Sequence, residues 1–207
     1  MAEKKSLPSS ELNQLEEELL NTIDKLFSSR EPLNLAGCWI NFRRKLKEFT
    51  SHGGSLEKNS AGEFSAILLK PIRKTYNKQD LACQILDHLE QAHGVNLLMR
   101  TQRGRTLLHE CILAKRDVIG VLLLKKTIEK DGVDYLEMPY QDEEELLSPS
   151  RLVDRELEFY EDINLNSKML TPDSRNPKQA LLNLAKDVKY YRTNFQELRK
   201  EYVKQLS

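Results

Sequence analysis

The sequence predicts an all-α fold: a short solenoid of stacked helix-turn-helix repeats with N- and C-terminal capping helices. Residues 104–132 read as two apolar helices separated by a basic break and ended by glycine. No segment sustains strand-like alternation beside hairpin-type turn pairs, so a sheet-based fold is not expected. The last apolar segment keeps helical spacing over three heptads. A helix pair this small cannot bury its own apolar face, so neighbouring helices must cover it.

Composition limits the classes of function. The chain has 207 residues, 39% of them hydrophobic, which is sufficient for a buried core. Its 32 basic and 32 acidic residues give no overall attraction to nucleic acid or anionic membranes. No apolar run approaches the ~20 residues that span a bilayer, and the N-terminus lacks a signal-peptide core. We expect a cytoplasmic protein without a cofactor, a nucleic-acid partner or a membrane span.

The N-terminal segment, residues 1–33, is expected to form a capping helix that begins after Pro8. A second helix begins near Asn34, keeps its apolar residues on one face and stops at Gly53. Its polar faces are strongly basic, and a solvated helix face is the simplest interpretation of them. These basic residues are Arg43, Arg44, Lys45 and Lys47.

Two further helices are predicted at about 65–75 and 79–92. Pro71 should kink or split the first of them, and Gly94 should end the second in the left-handed conformation. Together with the unit at 104–132, they form the middle of an expected repeat region that covers residues 34–162.

Internal comparison supports a degenerate tandem repeat. His52-Gly53 aligns with His93-Gly94 at a spacing of 41 residues. The exit Gly94-Val95-Asn96 also resembles Gly132-Val133-Asp134. At such an exit, glycine ends a helix and a short polar residue turns the chain into the next loop.

These residues resemble the ankyrin repeat, in which a helix-starting threonine and a histidine precede a leucine pair and a glycine exit. The best unit supplies Gly104, Thr106, Leu108, His109, Leu122, Leu123 and Leu124. The unit departs from the family pattern at Leu107, Cys111 and Lys115, and the repeats are longer than the ~33 residues typical of the family. The resemblance implies structural roles for Gly94, Asn96, Gly104, Thr106, His109 and Gly132.

Thr106 is expected to cap a helix, since its hydroxyl can accept from a free backbone N–H two or three residues on. His109 is expected to bind loop backbone. Pairing His109 with Cys111 as base and nucleophile is disfavoured, because side chains two residues apart on a helix diverge.

The three cysteines, Cys38, Cys83 and Cys111, lie in apolar helical patterns without C-x-x-C spacing. Reduced, buried thiols are the expected state. Cys38 with His52, or Cys83 with His88 and His93, could form catalytic or zinc sites, but neither set has a known ligand spacing, and no metal site is predicted.

Residues 138–162 contain nine carboxylates and only two arginines. In one interpretation they form a decayed last repeat that starts at Ser148-Pro149, with Leu152, Leu157 and Tyr160 facing the stack. In the other they form an acidic insertion for a basic partner, and the basic faces at 43–47 and 70–74 are its intramolecular counterpart. The predicted partner-binding residues are Asp142, Glu143, Glu144, Glu145, Arg43 and Arg44.

After a linker at 163–175, residues 176–207 are predicted to form an amphipathic helix opened by Pro177. Its apolar seam runs from Leu181 to Tyr202 and must be covered. A cap within the monomer is preferred, and self-association through residues 181–202 as a coiled coil is the alternative.

The sequence therefore predicts a non-catalytic protein-protein interaction module with an unidentified protein partner. The composition also resembles the ankyrin-type effectors of intracellular bacteria, which implies a role in the host cytosol after secretion. An F-box-like ubiquitin-ligase adaptor is the alternative, from a faint similarity at Leu7-Pro8, Ile23, Leu26, Leu35 and Cys38-Trp39. A cysteine-dependent enzyme is the weakest hypothesis.

Overall fold

A computed structural model describes residues 8–74, 77–137, 139–142, 145–166 and 177–206, with backbone alone for Asp142 and residues 160–166. Helix dominates this part of the chain, which confirms the predicted helical class. The helices are α1 (Ser9–Ser28), α2 (Pro32–Ser51), α3 (Ala66–Lys74), α4 (Gln79–His93), α5 (Leu107–Leu113), α6 (Asp117–Glu129), α7 (Asp134–Glu137), α8 (Pro149–Asn166) and α9 (Pro177–Leu206). One antiparallel hairpin, β1 (Tyr140–Asp142) with β2 (Glu145–Leu147), was not expected from the sequence.

The helices pack in four pairs: α1 with α2, α3 with α4, α5 with α6, and α8 with α9. The first members of the pairs contact one another in the order α1, α3, α5, α8, and we call them the first row. The second members α4, α6 and α9 also pack in order, and Trp39 and Phe42 of α2 contact His88 of α4. We call α2, α4, α6 and α9 the second row. The apolar faces of both rows pack together into one continuous core.

The loops between successive pairs repeat the same turn. Lys58 bridges Phe64 before α3, and Arg100 bridges Thr106 before α5. A glycine with positive φ lies four residues after the first residue of each bridge. Gly62 follows Lys58 and has φ of +74°, and Gly104 follows Arg100 and has φ of +81°. Glycine adopts this conformation without strain. The shared geometry shows that the turns before α3 and α5 are equivalent. We call the turn before α3 the first turn and the turn before α5 the second turn.

Successive turns lie against each other. A β carbon on Gly62 would stand 2.7 Å from the side chain of Gln102, and one on Gly104 would stand 2.9 Å from the carbonyl oxygen of Pro139. The N–H of Gln141 donates to the carbonyl of Arg103 at 3.0 Å. The hairpin β1–β2 is therefore the third member of the row of turns.

Helix ends agree with the prediction at Gly53 and Gly94, which have φ of +87° and +68°. Gly132 was expected to end α6 in the left-handed conformation, and that prediction is wrong. Asp131 takes the conformation instead, with φ of +54°, as a short polar side chain can. Lys115 has φ of +57° between α5 and α6, where the ankyrin pattern places glycine.

Helix α9 packs its predicted apolar seam against α6 and α8 of the same chain. Leu181, Leu184, Val188 and Phe195 are buried there, and Gly120 of α6 leaves the space that Leu184 fills. The seam is covered within the monomer, so these side chains are not available for the alternative coiled coil.

The segment 138–162 forms the β1–β2 hairpin followed by α8, which begins at the predicted Pro149. Leu152 is buried and Leu157 packs on the core, and α8 lies against α5 and α9. The side chain of Tyr160 lies outside the described residues. The backbone of α8 continues to Asn166, into the segment expected to be a linker.

Candidate interaction surface

His109 joins the third turn to the start of α5. Its Nε2 lies 3.0 Å from the carbonyl oxygen of Leu147, which can only accept, so Nε2 carries the proton. Its Nδ1 then accepts from the backbone N–H of Thr106 at 3.2 Å and from the Thr106 hydroxyl at 2.7 Å. The backbone N–H of His109 in turn donates to Thr106 Oγ1, which makes a capping box. The structural roles predicted for Thr106 and His109 are present in the structure.

Burial lowers the pKa of His109 to about 4, although its bond to Leu147 opposes this effect. Both ring nitrogens are occupied by backbone or the capping hydroxyl. An imidazole in this state is a poor general base at neutral pH. The ring of Tyr140 also packs against it at 4.7 Å between centroids. His109 therefore has a structural role: it holds the hairpin β1–β2 against α5.

Gly94 and Asn96 form hydrogen bonds at the turn after α4. Asn96 Oδ1 accepts from the backbone N–H of Leu98 at 3.0 Å, and the Asn96 N–H donates to the carboxylate of Glu57 at 2.8 Å. The N–H of Gly94 donates to Glu90, closing the last turn of α4. The bond between Asn96 and Glu57 ties the turn after α4 to the turn before α3.

Ion pairs connect neighbouring helices along the first row. Asp24 of α1 binds Lys70 at 2.8 Å and also binds Lys74, both from α3. Burial alone would raise the pKa of Asp24, but the hydrogen bonds from the two lysines outweigh it and hold the pKa below its usual value. The side chain of Lys74 remains 44% exposed.

Glu110 of α5 is the most deeply buried carboxylate of this surface, with 4% of its side chain exposed. Arg73 of α3 donates to its Oε2 from two nitrogens at 3.0 and 3.3 Å. Arg105 places its Nε 2.7 Å from the other oxygen. Two guanidinium groups compensate the desolvation of one buried carboxylate. This cluster was missed from the sequence, where the only sign of it is a glutamate inside the apolar pattern of α5.

A groove of about 510 Å³ lies between α1, α3 and the first turn. Its apolar part is formed by Leu20, Phe64, Ala66 and Leu69, and its polar part by Asn59, Lys70, Arg73 and Lys74. Among the described residues that line it, three are cationic and none is acidic. We call this the basic groove. An apolar floor beside cationic side chains is suited to an acidic segment that carries an apolar side chain.

A smaller depression of about 310 Å³ continues from Arg73 to α5, where Arg105, Leu113 and Arg116 line it. Arg116 donates to the carbonyls of Ile72 and Arg73 at 2.9 and 3.0 Å and so fixes the end of α3. Three arginines therefore line this depression together with Glu110, the carboxylate that binds Arg73 and Arg105.

A larger cleft of about 760 Å³ lies at the other end of the molecule, between α8 and α9. It carries charges of both signs, including an ion pair between Arg192 and Glu137. Mixed charges select less strongly for one kind of partner than the basic groove does.

Arg43 and Arg44 lie on α2, in the second row, and both are exposed. Arg44 donates to the Asn41 side chain at 2.8 Å and stands 3.7 Å from Glu48, while Arg43 lies over the Trp39 ring. They therefore interact within α2, and the structure gives no described contact between them and the acidic segment.

Among the described side chains, the basic residues at 43–47 and 70–74 make no ion pair with segment 138–162, so this alternative stays a prediction. Lys70 and Lys74 bind Asp24, and Arg73 binds Glu110. Asp142 and Glu145 lie opposite each other in the register of β1 and β2, and Glu145 is exposed. Glu143 and Glu144, also predicted as partner contacts, lie outside the described residues.

Two of the three cysteines, Cys83 and Cys111, lack the properties of nucleophiles. Burial raises the pKa of Cys111 well above its usual value. Burial, followed by the charges of Asp87 and Asp80, raises the pKa of Cys83 to about 12. Cys38 is half-buried on α2. A raised thiol pKa removes the thiolate that catalysis or metal binding would use.

Several F-box-like residues serve helix packing. Ile23 and Leu26 are buried in the core, and Trp39 packs edge-on against Phe42 and His88. Leu7 lies outside the described residues. Ile23, Leu26 and Trp39 therefore contribute to helix packing, and the F-box-like alternative stays a prediction.

Across the described ranges, no three or more histidine, cysteine, aspartate or glutamate side chains cluster as a metal site. No described helix is both long and apolar enough to cross a membrane. Comparison with known proteins found no family model, no curated protein and no solved structure that matches this chain.

Proposed function

We propose that this chain is a non-catalytic protein-binding module of the ankyrin-like solenoid type. Three features support the repeat: paired helices in two rows, equivalent turns at Gly62 and Gly104, and the Thr106–His109 cap. In stacked arrays of this kind, the surface shared by several repeats is the usual binding surface.

The observation that carries the proposal is the basic groove. Lys70 and Arg73 are held by Asp24 and Glu110, so their positions are fixed before a partner arrives. Arg73 keeps 58% of its side chain exposed despite this pairing. Preorganised cations beside an apolar floor reduce the entropy lost on binding. We infer that an acidic protein segment is the ligand.

Catalysis is the weaker hypothesis because the groups that would perform it are otherwise engaged. His109 has both nitrogens bonded, and Cys111 is buried with a raised pKa. The basic groove contains no thiol or imidazole among its described lining residues. A host-directed role as a bacterial effector stays a prediction of the sequence, and the groove is compatible with it.

A pair of matched variants tests the proposal. Leu69→Ser with Lys74→Glu alters the basic groove, and we expect it to reduce capture of specific partners from a eukaryotic lysate by about tenfold or more, the equivalent of ~1.4 kcal/mol. Quantitative mass spectrometry of the captured proteins is the measurement.

The control is Leu182→Ser with Lys200→Glu on α9. Both of its residues are exposed in the second row, and the changes remove the same chemical groups. Circular dichroism of both variants is measured alongside, to check that each one folds. If the two variants capture the same partners in the same amounts, the basic groove is not the binding surface.

A further inference from the structure

The hairpin β1–β2 has the chemistry that the basic groove accepts. Residues 142–145 are all acidic, and Glu145 is exposed. Leu146 follows and is 55% exposed, although it is a large apolar side chain. One apolar side chain beside carboxylates is complementary to an apolar floor beside Lys70 and Lys74.

This hairpin stands at the end of the row of turns. Gly62 of the first turn lies against Gln102 of the second, and Gly104 of the second lies against Pro139 at the third. In the part of the chain that the structure describes, no fourth turn packs on β1–β2. Within the described ranges, the exposed side chains Glu145 and Leu146 of the hairpin are not covered by a further turn.

The hairpin is held away from the basic groove of its own chain. Gln141 donates to Arg103, and His109 donates to Leu147, each at 3.0 Å. These bonds fix the hairpin to the second turn and α5, whereas the groove lies between α1 and α3. An acidic hairpin in the groove must come from another molecule.

We propose that the acidic hairpin of one copy of this chain docks into the basic groove of a second copy. Leu146 occupies the apolar floor beside Leu69, and Glu145 faces Lys70, Arg73 and Lys74. The inference rests on the proposed function, because it takes the same groove as a binding surface.

The predicted contact is heterologous, since two different surfaces meet. Each copy offers one groove and one hairpin, so association proceeds head to tail instead of closing into a symmetric dimer. It also uses surfaces that differ from the α9 seam, which is already buried within the chain.

Sedimentation velocity of the full chain over a concentration series tests this contact. We expect the average mass to rise with concentration at low salt. Raising the ionic strength should shift the distribution toward monomer, because salt screens exposed charges.

Two variants should each weaken association by about tenfold or more. The groove variant is Ala66→Glu, which adds a carboxylate at an exposed lining residue and breaks no ion pair. The hairpin variant is Glu145→Lys with Leu146→Ser. Lys200→Glu on the second row is the control and should associate like the unmodified chain.

Mixing the two defective variants gives the sharpest result. One variant retains a working hairpin and the other a working groove, so the mixture should form a two-chain complex that neither forms alone. A monomer at every concentration overturns the proposal, as does association that persists in both variants. If the chain is monomeric but still captures partners through the groove, this inference fails and the proposed function stands.

Discussion

Replacing His109 with glutamine should remove a large part of the dependence of stability on pH. In the folded protein the pKa of His109 is about 4, below the ordinary value of 6.5. The neutral ring therefore stabilises the fold fully above pH 6.5, and this contribution is lost as the pH falls from 6.5 to 4. A shift of this size corresponds to about 3 kcal/mol of unfolding free energy at pH 4.

The measurement is urea unfolding of both proteins at several pH values between 4 and 7. Glutamine cannot titrate, so the difference between the two proteins isolates the histidine from carboxylates such as Asp24, which also titrate at low pH. At pH 7 the variant should be less stable, because the glutamine amide does not reproduce the spacing of the two imidazole nitrogens that bind Leu147 and Thr106. Parallel curves for the two proteins would show that His109 is not the buried, doubly bonded group described above.

Removing both arginines around Glu110 should destabilise the fold by roughly 3 kcal/mol, as expected when a buried charge loses its partners. The double variant is Arg73→Met with Arg105→Met, which keeps much of the apolar stem of each side chain. Chemical denaturation at pH 7 measures the loss.

Adding Glu110→Leu to the double variant provides the decisive comparison. It removes the unpaired carboxylate, which is 96% buried as a side chain in the native cluster, and should restore most of the lost stability. If the triple variant is no more stable than the double variant, the arginines act through packing and not through the charge of Glu110.

The sequence predicted the features that depend on local chemistry. Thr106 precedes an apolar helix, and its hydroxyl caps that helix in the structure. Pro149 and Pro177 open α8 and α9 as expected. A capping hydroxyl or a proline acts within one turn of helix, so its consequence can be inferred without knowing what packs nearby.

The ion pairs of the first row could not be predicted in the same way. Asp24 and Lys70 are 46 residues apart, and Arg73 and Glu110 are 37 apart. Helical periodicity gives the face on which each residue lies but not the neighbour that faces it. For that reason the acidic partners of the basic residues of α3 and the basic groove were not anticipated.

The error at the end of α6 has a local cause. Gly132 was chosen because glycine adopts positive φ most easily, yet Asp131 takes that conformation and the Gly132 N–H donates to Thr127 at 2.8 Å. Aspartate tolerates the left-handed region well enough for the helix to end one residue earlier.

Site-specific photo-cross-linking shows whether the first-row surface binds protein partners. A photoreactive phenylalanine derivative is placed at Leu69 in the basic groove or at Leu182 on α9, and each protein is irradiated in a eukaryotic lysate. We expect discrete cross-linked partners from Leu69 that are absent from Leu182. Partners cross-linked from Leu182 alone would contradict this expectation.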